Sequence, residues 1–551
     1  MVDQENIHNQ CLSNDPKERI HALEKLENFF ALIPDKQQAW NDLIRLTNDE
    51  DFDVRYSAVM AVNSMFSKVP DKQQAWNDLY RLANDKNSDV RYSAVIALGS
   101  VYSKVPDKQL VWNDLYKLTN DEDLKVGREA AFVLGYVYFE MPDKQQAWNY
   151  LIELTSNKNG DVRSCAASAL GSAFSQVPDQ QQAWNDLLRL NNDKDSSVRY
   201  ITAHALGSAF FQVSDKQQAW NDLHRLNNDE DWKVKREAAS TLGYVFSQVP
   251  DKQQAWNDLH RLTSEQNSCV RYSAVMALGS AFSQVPDKQQ AWNDLLRLTN
   301  DEETDIRSRA VIALGSAFSQ VPDKQQAWDD LHKLTNDKDN YVRSSAVIAL
   351  GSAFSQVPDK QQAWNDLHRL TSDKDNNVRS NVASTLDSIF FQVPDKQQAW
   401  NDLIELTKNK DSSVRSSAAS ALCSAFSQVP DKQQAWNDLH RLTNEEDIDV
   451  RYSAVIAVDS LFSQVPDKQQ AWNDLLRLNN DEESSVRSSA ASALCSAFSQ
   501  VPDKQQAWND LHRLINDEES SVRSRAASAL GSAFSQVPDK QQAWDDLHKL
   551  T

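Results

Sequence analysis

Histidine, aspartate, arginine and cysteine are the residues of this chain that could do chemistry, and they recur along it rather than gathering in one stretch. Seven of the ten histidines (His224, His260, His332, His368, His440, His512 and His548) are separated by 36 residues or a multiple of 36. A metal centre needs its imidazole nitrogens about 2 Å from one ion. Equivalent residues of successive helical units lie one helix layer apart, roughly 8–10 Å, so this series predicts no metal site. Tyr116, Ile152, Leu188 and Leu296 fill the same slot, which predicts a half-buried edge position. An aspartate followed six residues later by arginine also recurs in most units, whereas a catalytic pair would be unique. The five cysteines (Cys11, Cys165, Cys269, Cys423 and Cys495) are odd in number, and Cys423 and Cys495 stand two units apart. That is roughly 20 Å of stacking against the 7 Å or so a disulfide tolerates, so reduced thiols are expected. GxxxxGK[ST], HExxH and CxxC are absent, which removes the usual phosphate cradle and the usual zinc and redox signatures. A catalytic centre needs a few unique residues converging. A near-uniform chain argues against an enzyme, and no cofactor is expected.

The interval itself comes from the elements that carry these residues. Prolines at 34, 70, 106, 142, 178, 250, 286, 322, 358, 394, 430, 466, 502 and 538 keep a 36-residue period, with Ser214 filling the one gap. Tryptophans from Trp40 to Trp544 keep it too. A fixed period of this length means stacked supersecondary units. In residues 322–357, Asp323 can cap a first helix and Gln326 completes a capping-box pattern. Ala327, Leu331 and Leu334 then make one apolar face, flanked by Trp328. Thr335 to Asp339 supply turn formers and a second cap. Val342, Ala346, Ala349, Leu350, Ala353 and Phe354 make the face of a second helix, which must stop before Pro358. Each unit therefore reads as helix A, an acidic turn, helix B and a Val-Pro-Asp link. The fold class expected is all-α, a solenoid of tandem helix pairs whose core runs along the stack.

Residues 1–33 read as an N-terminal capping half-repeat, 34–537 as fourteen repeats and 538–551 as a terminal helix A. The end at Thr551 without a polar closing repeat fits either a sufficient last helix or the front part of a longer chain or assembly. Repeats 7 to 14 (250–537) are close to uniform. Repeats 3 to 6 (106–249) carry most of the variation, and repeats 3 and 6 share a variant second helix. Formal net charge is −21, with pI near 4.9. Nucleic acid and anionic membranes are read by basic stripes, so neither is an expected partner. Acids concentrate in the A–B turns, a rim suited to basic partners. No apolar run of 18 residues and no signal-peptide pattern are present, which predicts a soluble, cytoplasmic protein.

The start of helix B, Asp337…Val342-Arg343…Ala346…Ala349-Leu350-Gly351, resembles the HEAT-repeat signature, in particular the short HEAT-like repeats named after phycobilisome lyases. The resemblance covers nearly the whole chain, although helix A, with its Trp and long link, departs from the family. It implies a right-handed superhelix with B helices on the concave side. It also implies a structural ladder of turn Asp and helix-B Arg joining adjacent units. By position this carries over to Asp49/Arg55, Asp85/Arg91, Asp193/Arg199 and Asp337/Arg343, and likewise at 301/307, 373/379, 481/487 and 517/523, with breaks at Gly127 and Lys235. Related di-iron hydroxylases use His-Glu pairs, and no His-Glu dipeptide occurs here. A lyase- or hydroxylase-like activity, or a role as the sensor arm of a larger signalling assembly, is the alternative to binding.

On helix B, positions equivalent to Tyr56, Met60, Asn63 and Ser67 form a stripe away from the apolar face. In repeats 3 to 5 it carries Arg128, Phe132, Phe139, Tyr200, His204 and Phe211, and Trp232 projects from a turn in repeat 6. Exposed aromatics on adjacent units form a candidate binding patch. The expected function is a non-catalytic scaffold holding a protein or peptide, basic ones among them, in a concave groove.

Overall fold

The local chemistry of one repeat explains its two helices. In the computed structural model, helix A of repeat 9 spans Lys324–Leu334, and Asp323 accepts a hydrogen bond of 2.9 Å from the Gln326 N–H at its start. The Gln326 amide does not return to Asp323. It donates to Asp330 at 2.9 Å, so only half of the expected capping box forms. Helix A buries Ala327, Trp328, Leu331, Leu334 and Asp330, and ends where Thr335 Oγ1 donates to the His332 carbonyl at 2.8 Å. In the turn, Asp337 accepts from the Asp339 N–H, and Asp339 caps helix B (Asn340–Ala353) by accepting from the Tyr341 N–H, each at 2.8 Å. Most B helices run into a single 3-10 turn, as at Phe318–Gln320. The link that follows is fastened by the first lysine of the next helix A. Lys324 Nζ donates to the carbonyls of Phe318 and Val321 at 2.7 and 2.9 Å and lies 5.6 Å from the Phe318 ring.

The structure describes residues 3–68, 71–105, 107–177, 179–537 and 539–550, the side chains of 546–550 excepted. Expectations placed on Pro70, Pro106, Pro178, Pro538, Thr551 and the side chain of His548 lie outside the described residues. The fold is an all-α solenoid with no strand among the described residues. It divides into two compact units, residues 1–277 and 278–551. In each, the backbones of successive B helices approach closely along their length, whereas those of successive A helices stand farther apart and meet through side chains. That asymmetry makes the B layer the inner face of the local curvature. Small residues permit it: a Cβ on Gly171, whose φ is not positive, would sit 2.9 Å from the Ala205 Cα of the next B helix. The A helices carry the bulk, with Trp76, Trp112, Trp184 and Trp220 among the largest fully buried side chains of the first unit, and Trp292, Trp400, Trp472 and Trp508 of the second.

The N-terminus differs from expectation. Residues 3–33 hold a short first helix (Gln4–Cys11) and a full second one (Pro16–Phe29), which is a whole repeat with a shortened helix A rather than a half-repeat. Asp15, followed by Pro16 at the first helical position, caps the second helix. No described helix is long and apolar enough to cross a membrane.

Candidate partner-binding face and the joints beneath it

Two sets of polar joints fix one repeat against the next. In the first, the helix-B arginine of one unit grips the turn aspartate of the following unit. Arg55 Nε and Nη2 reach Asp85 at 2.6 and 2.8 Å, and Arg343 reaches Asp373 at 2.8 Å through both nitrogens. Arg91–Asp121, Arg163–Asp193, Arg199–Asp229 and Arg451–Asp481 repeat the geometry. The remaining nitrogen, Nη1, turns back to the unit's own turn, as from Arg55 to the Asp49 carbonyl at 2.8 Å. So the pairs counted within a unit (Asp49/Arg55, Asp85/Arg91, Asp193/Arg199 and Asp337/Arg343) meet through a backbone carbonyl. The carboxylates of Asp49, Asp85 and Asp193 face Arg19, Arg55 and Arg163 of the unit before. Asp337 departs from this, because Arg307 takes Asp339 instead. Repeat 6 substitutes the whole pair, with Lys235 on Glu265 at 3.2 Å. Burial pushes Asp85, Asp193, Asp373 and Asp481 upward, but the arginine and a backbone N–H outweigh it and hold each below the usual carboxylate range.

The second joint was not foreseen in the sequence. An aspartate stands two residues after most helix-A tryptophans and is buried in most units, and its donor varies with the neighbouring unit's histidine slot. In four units where that slot is Leu or Ile the tryptophan donates: Trp184 to Asp222 and Trp292 to Asp330 at 3.1 Å, Trp400 to Asp438 at 2.9 Å, Trp472 to Asp510 at 3.2 Å. Where it is histidine, Nδ1 meets the next aspartate instead, at 2.6 Å for His332–Asp366, His368–Asp402 and His440–Asp474. His224 meets Asp258 in the same way. The tryptophan then leans on the imidazole, as Trp328 does on His332 at 5.7 Å. His8, in the shortened first repeat, meets Asp42 at 2.8 Å and belongs to the same series. The histidines thus link repeats, and no group of three or more metal-binding side chains gathers among the described residues.

With the joints at the turns and inside the layers, the free face of helix B remains. In repeat 3 (helix B, Leu124–Val137) Phe132 and Tyr136 are 61% and 72% exposed, with Arg128 and Phe139 exposed beside them. In repeat 6 (helix B, Trp232–Val245) Tyr244 is 67% exposed. Phe211 is half-buried rather than free, its ring edge-to-face with Tyr244 at 5.0 Å. Tyr200 is also half-buried: Arg236 stacks on it at 5.3 Å and donates to its hydroxyl at 3.1 Å. Trp232 opens helix B rather than standing in the turn, with Arg236 and Lys233 each 5.9 Å from its ring. His204 is exposed and meets Glu237 at 2.8 Å. The structure thereby splits the sequence candidates into an aromatic row on repeat 3 and a row across repeats 5 and 6. Tyr136 and Tyr244 join them, at one repeat position 108 residues apart. Between the rows, repeat 4 shows Ser164, Ser168 and Ser172 at the equivalent places. This surface offers apolar anchors and stacked cations and no nucleophile held by a base.

All five cysteines are free. Burial pushes Cys11 and Cys423 up to about 12, and Cys165 and Cys495 up to about 11, so these thiols are not nucleophiles at neutral pH.

A family model described as HEAT repeats matches residues 9–99, 113–207, 222–315, 293–363 and 328–423. No curated protein matches by sequence. Among solved structures, the chain is similar to yeast importin-beta (Kap95p), at 15% identity over 96% of this chain and 76% of that one, with a TM-score of 0.64. It is similar to a chain of the Kap95–Nup1 complex, at 14% identity over 100% of this chain and 79% of that one, with a TM-score of 0.70. A chain from the structure describing Kap95p binding to RanGDP gives 13% identity, the same coverages and 0.70. At such identities the likeness is one of fold.

Proposed function

We propose that this chain, which belongs to the HEAT-repeat family, is a non-catalytic scaffold that binds a protein or peptide on the helix-B face of repeats 3 to 6. The observation that carries the reading is the exposure of Phe132, Tyr136 and Tyr244, which no packing need of the solenoid explains. Exposed aromatic anchors supply most of the energy of protein interfaces when a partner buries them. Three layers from repeat 3 to repeat 6 span roughly 25–30 Å, or about eight residues of extended chain at ~3.3 Å each. A segment of that length would anchor apolar side chains at both aromatic rows and cross the serines of repeat 4. Arg128, Lys233 and Arg236 sit among the aromatics, and the acidic turns of a chain with net charge −21 favour basic flanks on the partner. Kap95p, which shares the fold, is described with RanGDP and with Nup1, so protein binding is the use to test first.

The test is capture of partners from a lysate with wild type and a Phe132→Ala/Tyr136→Ala/Tyr244→Ala variant. Calorimetry on the recovered partner follows. Loss of at least tenfold in affinity is expected from truncating three anchors. A partner bound equally by both proteins rules out this face, and a chain that holds no protein rules out the scaffold.

A further inference from the structure

The arginine ladder has one unfilled place. Thirty residues after each ladder arginine from Arg19 to Arg487 stands Asp or Glu, with a single exception. Repeat 3, which lacks the arginine, lacks the acid as well: Gly127 replaces one and Asn157 the other. Repeat 10 keeps Arg379 while the position facing it is Asn409. The guanidinium keeps the ladder pose, with Nη1 on its own-turn Asp373 carbonyl. Nη2 turns to Asn376 and reaches Asn409 Oδ1 only at 3.5 Å, and Nε is buried without a partner. Nε of Arg19, Arg415 and Arg487 also lacks a well-aligned bond, yet each of those guanidinia has a carboxylate in ion-pair range. Among the described residues Arg379 has none.

Arg379 lines a cleft of about 710 Å³ together with Asn376, Asn409, His368, Lys408, Lys410 and nearby acids. Those acids are engaged elsewhere: Asp373 with Arg343, Asp402 with His368, Glu405 with Lys408. Arg379 and Lys410 are left as unspent positive charge in a protein of net charge −21. We propose that this cleft binds a carboxylate-bearing peptide segment, one carboxylate displacing the Asn409 amide to pair with Arg379 as a ladder aspartate pairs in other units. The molecule supplies the template. On Arg379, Nε has no partner and Nη2 meets only amide oxygens, whereas Arg55, Arg91, Arg163, Arg343 and Arg451 each present these two nitrogens to a carboxylate. Lys410 stands beside it for a further acid of the same segment.

A fluorescent tetraglutamate peptide amide, titrated by anisotropy at low salt, is the probe. Wild type is expected to bind it. Asn409→Asp, which supplies the missing carboxylate from within the fold, and Arg379→Gln are each expected to weaken it by about tenfold or more. Ser412→Asp adds the same charge at an exposed neighbouring site and is expected to change affinity by less than about threefold. Because Asn409→Asp completes the ladder, its melting temperature is expected to equal or exceed that of wild type, which separates filling of the slot from damage to the fold. No binding by wild type, equal binding by Asn409→Asp, or an equal loss in Ser412→Asp overturns the proposal. Displacement of the probe by inorganic phosphate at lower concentration than by free glutamate overturns the carboxylate assignment.

Discussion

Removing both halves of a ladder joint is expected to cost less than the sum of removing each half alone. Arg343 and Asp373 are the pair to use, because their side chains are only 7% and 9% exposed and meet through two bonds of 2.8 Å. Arg343→Leu strands the Asp373 carboxylate in a buried setting with little beyond the Asp375 N–H at 2.9 Å to satisfy it. Breaking a buried ion pair in that way costs about 3–5 kcal/mol. Asp373→Asn removes the charge but keeps an acceptor, so the loss is that of charge-assisted hydrogen bonds, about 1.5–3 kcal/mol. In the double variant no ion remains unpaired, and the total is expected to fall short of the sum by up to about 3 kcal/mol. Repeats 3 and 4 already carry the double replacement as Gly127 and Asn157. A solenoid opens locally rather than in one step, so the assay is native-state hydrogen exchange read by mass spectrometry on segments 337–357 and 373–393. A loss of about 3 kcal/mol corresponds to more than 100-fold faster exchange there. Additive costs, or single variants with unchanged protection, refute the claim that these joints hold repeats together through paired charge.

The same joints set the response to acid. Asp85, Asp193, Asp373 and Asp481 are held below the usual carboxylate range in the folded chain. Their contribution is therefore complete above the unfolded value near pH 4 and lost as pH falls through the folded values. Melting temperature is expected to be level between pH 7 and 5 and to fall below about pH 4, less steeply in Asp373→Asn; an equal slope in that variant contradicts the assignment. Native protein is expected to give one fast-reacting thiol, the exposed Cys269, and five after denaturation; a second fast thiol would contradict the covering of the buried Cys11 and the half-buried Cys165, Cys423 and Cys495. His368→Leu is expected to cost no more than about 1 kcal/mol by calorimetric melting, with Trp364 Nε1 taking over Asp402 as tryptophans do beside Leu or Ile. His368→Leu/Trp364→Phe leaves the buried aspartate without either donor and is expected to cost roughly 1–3 kcal/mol.

The helix pairs and the stacking were legible because both rest on information local to 36 residues: apolar spacing, caps and breakers. Contacts between units were less so. Asp49 and Arg55 lie six residues apart in sequence, yet the carboxylate faces Arg19 and the guanidinium faces Asp85, since a side chain that leaves a tight turn reaches the neighbouring unit first. The pairing of tryptophan or histidine with the next buried aspartate was hidden by its separation of 38 or 34 residues. A signal was present, for an aspartate sits two residues after most helix-A tryptophans, and a charged residue repeated on an apolar helix face demands a partner. At the candidate face, residue type and register were readable, but not that Tyr200 and Phe211 would be half-buried by Arg236 and Tyr244. Nor was it readable that Tyr136 and Tyr244 would be the most exposed rings of this face.

Two kinds of departure from uniformity now have different physical meanings. Where a joint changes on both sides, as with Gly127 and Asn157 or Lys235 and Glu265, the variation answers to the fold, because no buried charge is left alone. Where one side changes, the fold gains nothing: Asn409 leaves Arg379 without a carboxylate, beside a cleft. The exposed aromatics of repeats 3 and 6 are of this second kind, since the equivalent serines of repeat 4 serve the same helices without them. An uncompensated charge and an uncovered ring both disfavour the isolated chain, and both are relieved by contact with another molecule. That shared property is the physical ground on which binding is proposed for the helix-B face of repeats 3 to 6 and for the cleft at repeats 10 and 11.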